Sequence, residues 1–174
     1  NPPLVFVRPD TVAGVAQLGG MRVIGGPGNW TGFYVSTYNT IGFPPNGKYF
    51  VGSFGGQSVS SYGMRLWDGN AQVLFDSGTV CASFTRSFQN WTYLFYQLGP
   101  QGEYRNFYSV DFNFPADEYL LINNFGMNMC SGGPVSRALY NWWDFSSNKL
   151  YAVTIAYANP YAFYLPAVFA KIAV

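Results

Sequence analysis

Glycine and proline interrupt this chain too often for any long helix to survive. Twenty glycines and eleven prolines occur in 174 residues, falling at roughly eight- to twelve-residue intervals, the spacing of turns in all-β domains. In a helix interior each glycine costs about 1 kcal/mol and each proline about 3 kcal/mol relative to alanine. Between the breaks lie short runs of Val, Ile, Tyr, Phe and Thr, the residues that suit a pleated, half-buried surface. The pattern predicts an all-β chain, a β-sandwich (jelly-roll-like) of short antiparallel strands. Strands are expected over 4–7, 21–24, 32–38, 48–54, 58–67, 72–75, 80–86, 91–97, 104–112, 119–123, 138–145, 150–157 and 163–173.

Two hairpins stand out. In Tyr62 to Gly78, Met64 and Leu66 alternate with Arg65 and Trp67, and Val73 and Phe75 alternate with Gln72 and Leu74. The Asp68-Gly69-Asn70 cluster between them offers residues that tolerate positive φ, the chemistry of a tight turn. Asp76 and Ser77 close the second strand, where an Asp or Ser side chain can accept from amides two or three residues on. The other hairpin runs from Leu139 through Ser146-Ser147-Asn148-Lys149 to Ile155. Both faces of its second strand are apolar, as in a central strand covered on two sides.

Helix signals are few. Pro9 to Ala16 offers one capped turn, weakened by Gly14. Segment 135–142 would accept a helix or a strand, and its length and aromatic content favour the strand. The glycines at 25, 26 and 28 divide the chain into an N-terminal arm, residues 1–28, and a single β-sandwich domain, residues 29–174. The arm has little alternation of its own and is expected to pack on the body or on a neighbouring subunit.

Only 10% of residues are charged and the net charge is +1, so there is no basic surplus to neutralise a phosphate backbone and no nucleic-acid partner is expected. Aromatics make up 20%, more than a core of this size holds, so some are expected at interfaces. A surface so poor in charge suits a subunit of an assembly. No apolar run approaches the roughly 18 residues of a membrane helix, and no signal peptide is visible at the first residues. Asn29-Trp30-Thr31 and Asn90-Trp91-Thr92 match the glycosylation sequon, which matters only in a eukaryotic secretory protein.

The chain contains no histidine. That excludes Ser-His-Asp and Cys-His nucleophilic sites and His-based metal sites within it. Asp117 and Glu118 are adjacent, and on a strand they point to opposite faces, which is wrong for a shared acid–base task. Gly25-Gly26-Pro27-Gly28 lacks the Lys-Ser/Thr of a phosphate loop. Ser131-Gly132-Gly133-Pro134 resembles the nucleophile region of chymotrypsin-like proteases, but without a histidine the comparison fails. Cys81 and Cys130 have no metal-type spacing; one disulfide or two buried free thiols are both open. The expectation is a non-enzymatic chain with no metal or cofactor. The candidate interface or ligand-contact aromatics are Trp91, Tyr93, Trp142 and Trp143, with Trp142 and Trp143 on opposite faces of one strand. The structural hairpin carries Trp67, Asp68, Gly69, Asp76 and Ser77.

The segment Tyr62-Gly63-Met64-Arg65-Leu66-Trp67-Asp68-Gly69-Asn70-Ala71-Gln72-Val73-Leu74-Phe75-Asp76-Ser77 resembles one that recurs in small tail proteins of tailed bacteriophages, the tail-fibre or tail-tip associated kind. Pro3-Leu4-Val5-Phe6-Val7-Arg8-Pro9 is similar to the start of such proteins. The resemblance covers about 25 residues and carries no catalytic residues with it. It implies a location in the virion and a structural component of the phage tail (distal tail, fibre or tip). Such a chain would assemble with other tail subunits as a homo-oligomer, a trimer in the favoured case, and contact a host surface glycan or protein receptor. A carbohydrate-binding β-sandwich module is the alternative, and a secreted pore-forming or lectin-like protein the third.

Overall fold

The computed structural model describes residues 1–11, 15–37, 46–126 and 139–173. It holds thirteen strands: β1 (Leu4–Pro9), β2 (Val15–Gly26), β3 (Asn29–Ser36), β4 (Gly47–Gly52), β5 (Arg65–Trp67), β6 (Val73–Asp76), β7 (Cys81–Phe88), β8 (Thr92–Leu98), β9 (Tyr104–Asp111), β10 (Tyr119–Leu121), β11 (Leu139–Asp144), β12 (Lys149–Ala156) and β13 (Ala167–Ala173). A 3-10 turn spans Asn123–Gly126. The strands form a five-stranded sheet in the order β4-β1-β10-β13-β7, a six-stranded sheet in the order β3-β2-β11-β12-β9-β8, and the isolated β5-β6 pair. All pairings are antiparallel. The all-β sandwich read from the glycine and proline spacing is therefore what forms. The chain passes repeatedly from one large sheet to the other, in keeping with a jelly-roll-like wrap.

Alternation decides what lies between the sheets. Val5 and Val7 of β1 join one core with Leu139 and Trp143 of β11, Leu150 and Ala152 of β12, and Phe169 of β13. Phe6, which points the other way, belongs to a second cluster with Leu121 and Ala170 on the outer face of the five-stranded sheet. β12 is central, between β11 and β9. Its Leu150, Ala152 and Thr154 are buried on one face and Val153 on the other, as its two apolar faces predict.

The N-terminal residues are not an arm. β1 pairs with β4 and β10 in one sheet, and β2 pairs with β3 and β11 in the other. Residues 1–28 therefore supply an interior strand to each sheet, and the boundary at residue 28 is a hairpin turn. Two glycines hid the length of β2. Gly20 takes a positive φ of 56° where the β2–β3 register shifts. At Gly19 the Tyr140 ring lies where a Cβ would sit, 2.1 Å from the ideal position. This close approach of an aromatic needs a bare backbone.

Two other expected elements differ. The strand expected over 58–67 is confined to β5, because residues 59 and 60 give their amides to Asp76 instead of to a ladder. The strand expected over 163–173 begins only at Ala167. Pro160 and Pro166, which have no N–H to donate, bracket an irregular strap before it. The turn expected over Pro9 to Ala16 falls mostly outside the described residues, and Val15 and Ala16 already belong to β2. Cys130, Ser131 to Pro134 and the start of segment 135–142 also lie outside them, while its remainder is the strand β11.

Candidate interaction surfaces

The β5–β6 hairpin is built around one carboxylate. Asp76 is 1% exposed, and its Oδ1 accepts from the Gly78 amide at 3.0 Å. Its Oδ2 accepts from Arg65 Nε at 2.6 Å and from the amides of Val59 and Ser60 at 3.3 and 3.5 Å. These donors, the Gly78 amide foremost, hold the Asp76 carboxyl far below the usual carboxylate range. Ser77 completes the closure, since its Oγ accepts from the Met64 amide at 3.1 Å. The expected acceptance from an amide two residues on is present at Asp76, through Gly78, whereas Ser77 accepts from across the hairpin. The Arg65 pairing and the capture of the 59–60 loop had no local sequence signal.

At the tip, Asp68 Oδ1 accepts from the amides of Asn70 and Gln72 at 2.9 and 2.8 Å. The positive φ falls on Ala71, at 61°, and not on Asp68, Gly69 or Asn70. The Ala71 amide donates to Asp68 O and the Asp68 amide to Gln72 O, a turn followed by a left-handed residue and a bulge. Trp67 is 55% exposed, with the Arg65 guanidinium 5.9 Å from its ring centre. The β11–β12 turn repeats the design. Asp144 Oδ1 accepts from Ser146 Oγ and from the amides of Ser146 and Ser147, and Asn148 takes the positive φ.

Between this hairpin and the outer face of the five-stranded sheet lies a cavity of ≈ 580 Å³. Phe6 and Phe50, stacked with ring centres 4.5 Å apart, lie on its floor. Val51, Phe54, Leu74, Val80, Phe84 and Ile172 line it, and each is 43–62% exposed. The one ionisable carboxylate in the lining, Asp76, is already bound to Arg65. Cys81, at the same cavity, is a free and exposed thiol, which excludes the buried-thiol expectation for this residue.

The four candidate aromatics do not form one site. Trp143 is 3% exposed and Trp91 7% exposed, both within the core; neither can meet a ligand, because an indole is drawn inside by its apolar area. Trp142 points the opposite way from Trp143, as alternation requires. It lies half-buried on the outer face of the six-stranded sheet, with ring centres 6.0 Å from Phe107 and 5.6 Å from Tyr151. Tyr93 is half-buried and touches Tyr108 and Tyr161.

Trp91 and Tyr93 instead hold the strap that precedes β13. Trp91 Nε1 donates to Leu165 O at 2.8 Å and the Tyr93 hydroxyl to Asn159 Oδ1 at 3.1 Å. Asn106 Nδ2 donates to Ala158 O at 3.3 Å, the Tyr108 hydroxyl to Pro160 O, and Asn124 Nδ2 to Pro166 O at 2.9 Å. Burial pushes the Tyr108 hydroxyl up to about 12, so it remains a donor at any ordinary pH. Phe163 and Leu165 anchor the strap in the core, while Tyr161 and Tyr164 are 72% and 68% exposed.

Among the described residues, no three of His, Cys, Asp and Glu gather to hold a metal ion, and no helix is long and apolar enough to cross a membrane. No family model, no curated protein and no solved structure matches this chain.

Proposed function

We propose that this chain is a non-enzymatic structural subunit of a bacteriophage tail, at the distal tail, fibre or tip, and that it assembles there as an oligomer with a trimer favoured. The observation that carries the assembly role is the gathering of six exposed apolar side chains around one aromatic-floored cavity. Contiguous exposed apolar surface marks contact with a partner, and at 10% charged residues little else keeps such a face in water. The tail assignment rests on the resemblance of the Tyr62 to Ser77 segment.

The test has two parts. Mass spectrometry of purified virions from the source phage is expected to find the chain in tail particles. Native mass spectrometry of the isolated protein is expected to give an oligomer, and Phe84→Asp, at an exposed position, is expected to release monomers without unfolding them. A chain absent from virions would overturn the tail assignment. A protein that stays monomeric at high concentration, and alongside the other tail subunits, would overturn the assembly role.

A further inference from the structure

The Tyr157 to Pro166 strap has an irregular backbone, yet side chains from the body hold it along its length. Four of its carbonyls, those of Ala158, Pro160, Leu165 and Pro166, accept from Asn106, Tyr108, Trp91 and Asn124. A fifth bond joins Tyr93 to the Asn159 side chain. These donors come from different parts of the chain, so the strap is fixed by the body and not by its own turn chemistry. Such holding removes the ordering cost that a loop otherwise meets on binding.

The held strap presents flat rings to solvent. Tyr161 and Tyr164 are its exposed large side chains, and Tyr161 is braced edge-on against Tyr93, with ring centres 5.1 Å apart at 87°. Tyrosine supplies a rigid apolar face and a polar tip at little conformational cost. No Asp, Glu, Lys or Arg occurs between Lys149 and Lys171, so the strap offers nothing to attract a charged group.

We infer that the strap is a preorganised binding platform for neutral sugars, which lay their C–H faces on Tyr161 and Tyr164 while their hydroxyls reach the phenol groups. Trp91 and Tyr93 act as positioning residues beneath it. This inference goes beyond the tail reading and does not depend on it.

The test uses the whole protein on an array of neutral oligosaccharides built from hexoses and N-acetylhexosamines, followed by titration with the best binder, read by intrinsic fluorescence. Tyr161→Ala and Tyr164→Ala are each expected to weaken binding about 10-fold or more, at unchanged melting temperature. Tyr93→Phe keeps every exposed ring and removes one tether, and a loss of a few-fold is expected from the freed strap. No binding of any neutral oligosaccharide would overturn the inference. So would binding that survives both alanine substitutions, or tyrosines that serve only to hold a protein partner. Virion incorporation of the same variants is measured separately: normal incorporation without sugar binding removes the platform and leaves the tail reading standing.

Discussion

Arg65 and Asp76 are directly opposed across the β5–β6 pair, with Arg65 Nη2 2.6 Å from Asp76 Oδ2. The carboxylate is shut away while the guanidinium keeps 26% of its side chain in water. Arg65 Nη2 also donates to Ser60 O at 2.6 Å. One ion pair thus joins the two strands to the loop that crosses beside them. The hairpin is held as a unit by its own polar centre.

Acid is expected to loosen that unit. The Gly78 amide, the Ser60 groups and Arg65 depress the folded-state pKa of Asp76 below its unfolded value. The stabilisation is therefore complete above the unfolded value of about 3.9 and is lost as pH falls from there through the folded one. Glu103, through the backbone amide of its own residue first, and Asp144, through the Ser146 hydroxyl first, are shifted in the same direction. Melting temperatures measured from pH 7 to pH 2 should fall below about pH 4. Asp76→Asn should melt lower at pH 7 and show a shallower acid limb, and equal pH slopes would contradict the account.

Ala71 holds a left-handed conformation that costs a residue with a Cβ about 1–2 kcal/mol. Glycine removes that cost but adds chain entropy to the unfolded state of about 0.5–1 kcal/mol. Ala71→Gly is expected to stabilise the protein by roughly 0.5–1 kcal/mol, raising the melting temperature by about 1–4 °C for a chain of this size. Calorimetry decides it.

Adjacent tryptophans should respond very differently to truncation. Trp143→Ala empties a core position and is expected to cost about 3–5 kcal/mol. Trp142→Ala removes a half-buried ring from an outer sheet face and should cost clearly less. Urea unfolding of the two variants tests the assignment of faces, and equal losses would place both rings inside.

Cys81 is exposed on the single chain beside the apolar cavity, so it should react with a thiol reagent without unfolding in the Phe84→Asp monomer, and more slowly in the assembled protein. Cys81→Ser should abolish the faster reaction of the monomer. Its persistence in the variant would show that the reactive thiol is another one.

Much of the architecture is legible in the chain because it follows from local rules. The opposite facing of Trp142 and Trp143 comes from a two-residue period, and the turn at 68–70 is marked by turn-forming residues, although the positive φ falls on Ala71. What could not be read depends on partners far away in sequence. Trp91 looks like a ligand-stacking indole until Leu165 is brought above it, 74 residues later. Val59 and Ser60 look extended until Asp76 takes their amides. The first 28 residues looked like an arm because their strand partners, β10 and β11, come some hundred residues afterwards and because Gly19 and Gly20 interrupt the alternation of β2.

The interior position of β1 and β2 has a consequence for how the protein is made. β1 can pair with β4 early, but its other edge waits for Leu120 and Leu121, and β2 waits for residues 140–144. Until the last third of the chain has left the ribosome, both sheets stay half-built, with unpaired edges and aromatic side chains open to other chains. Contacts so distant slow folding and lengthen that vulnerable interval. Removal of residues 4–9 would take an interior strand from the five-stranded sheet, and removal through residue 26 would take one from the six-stranded sheet as well.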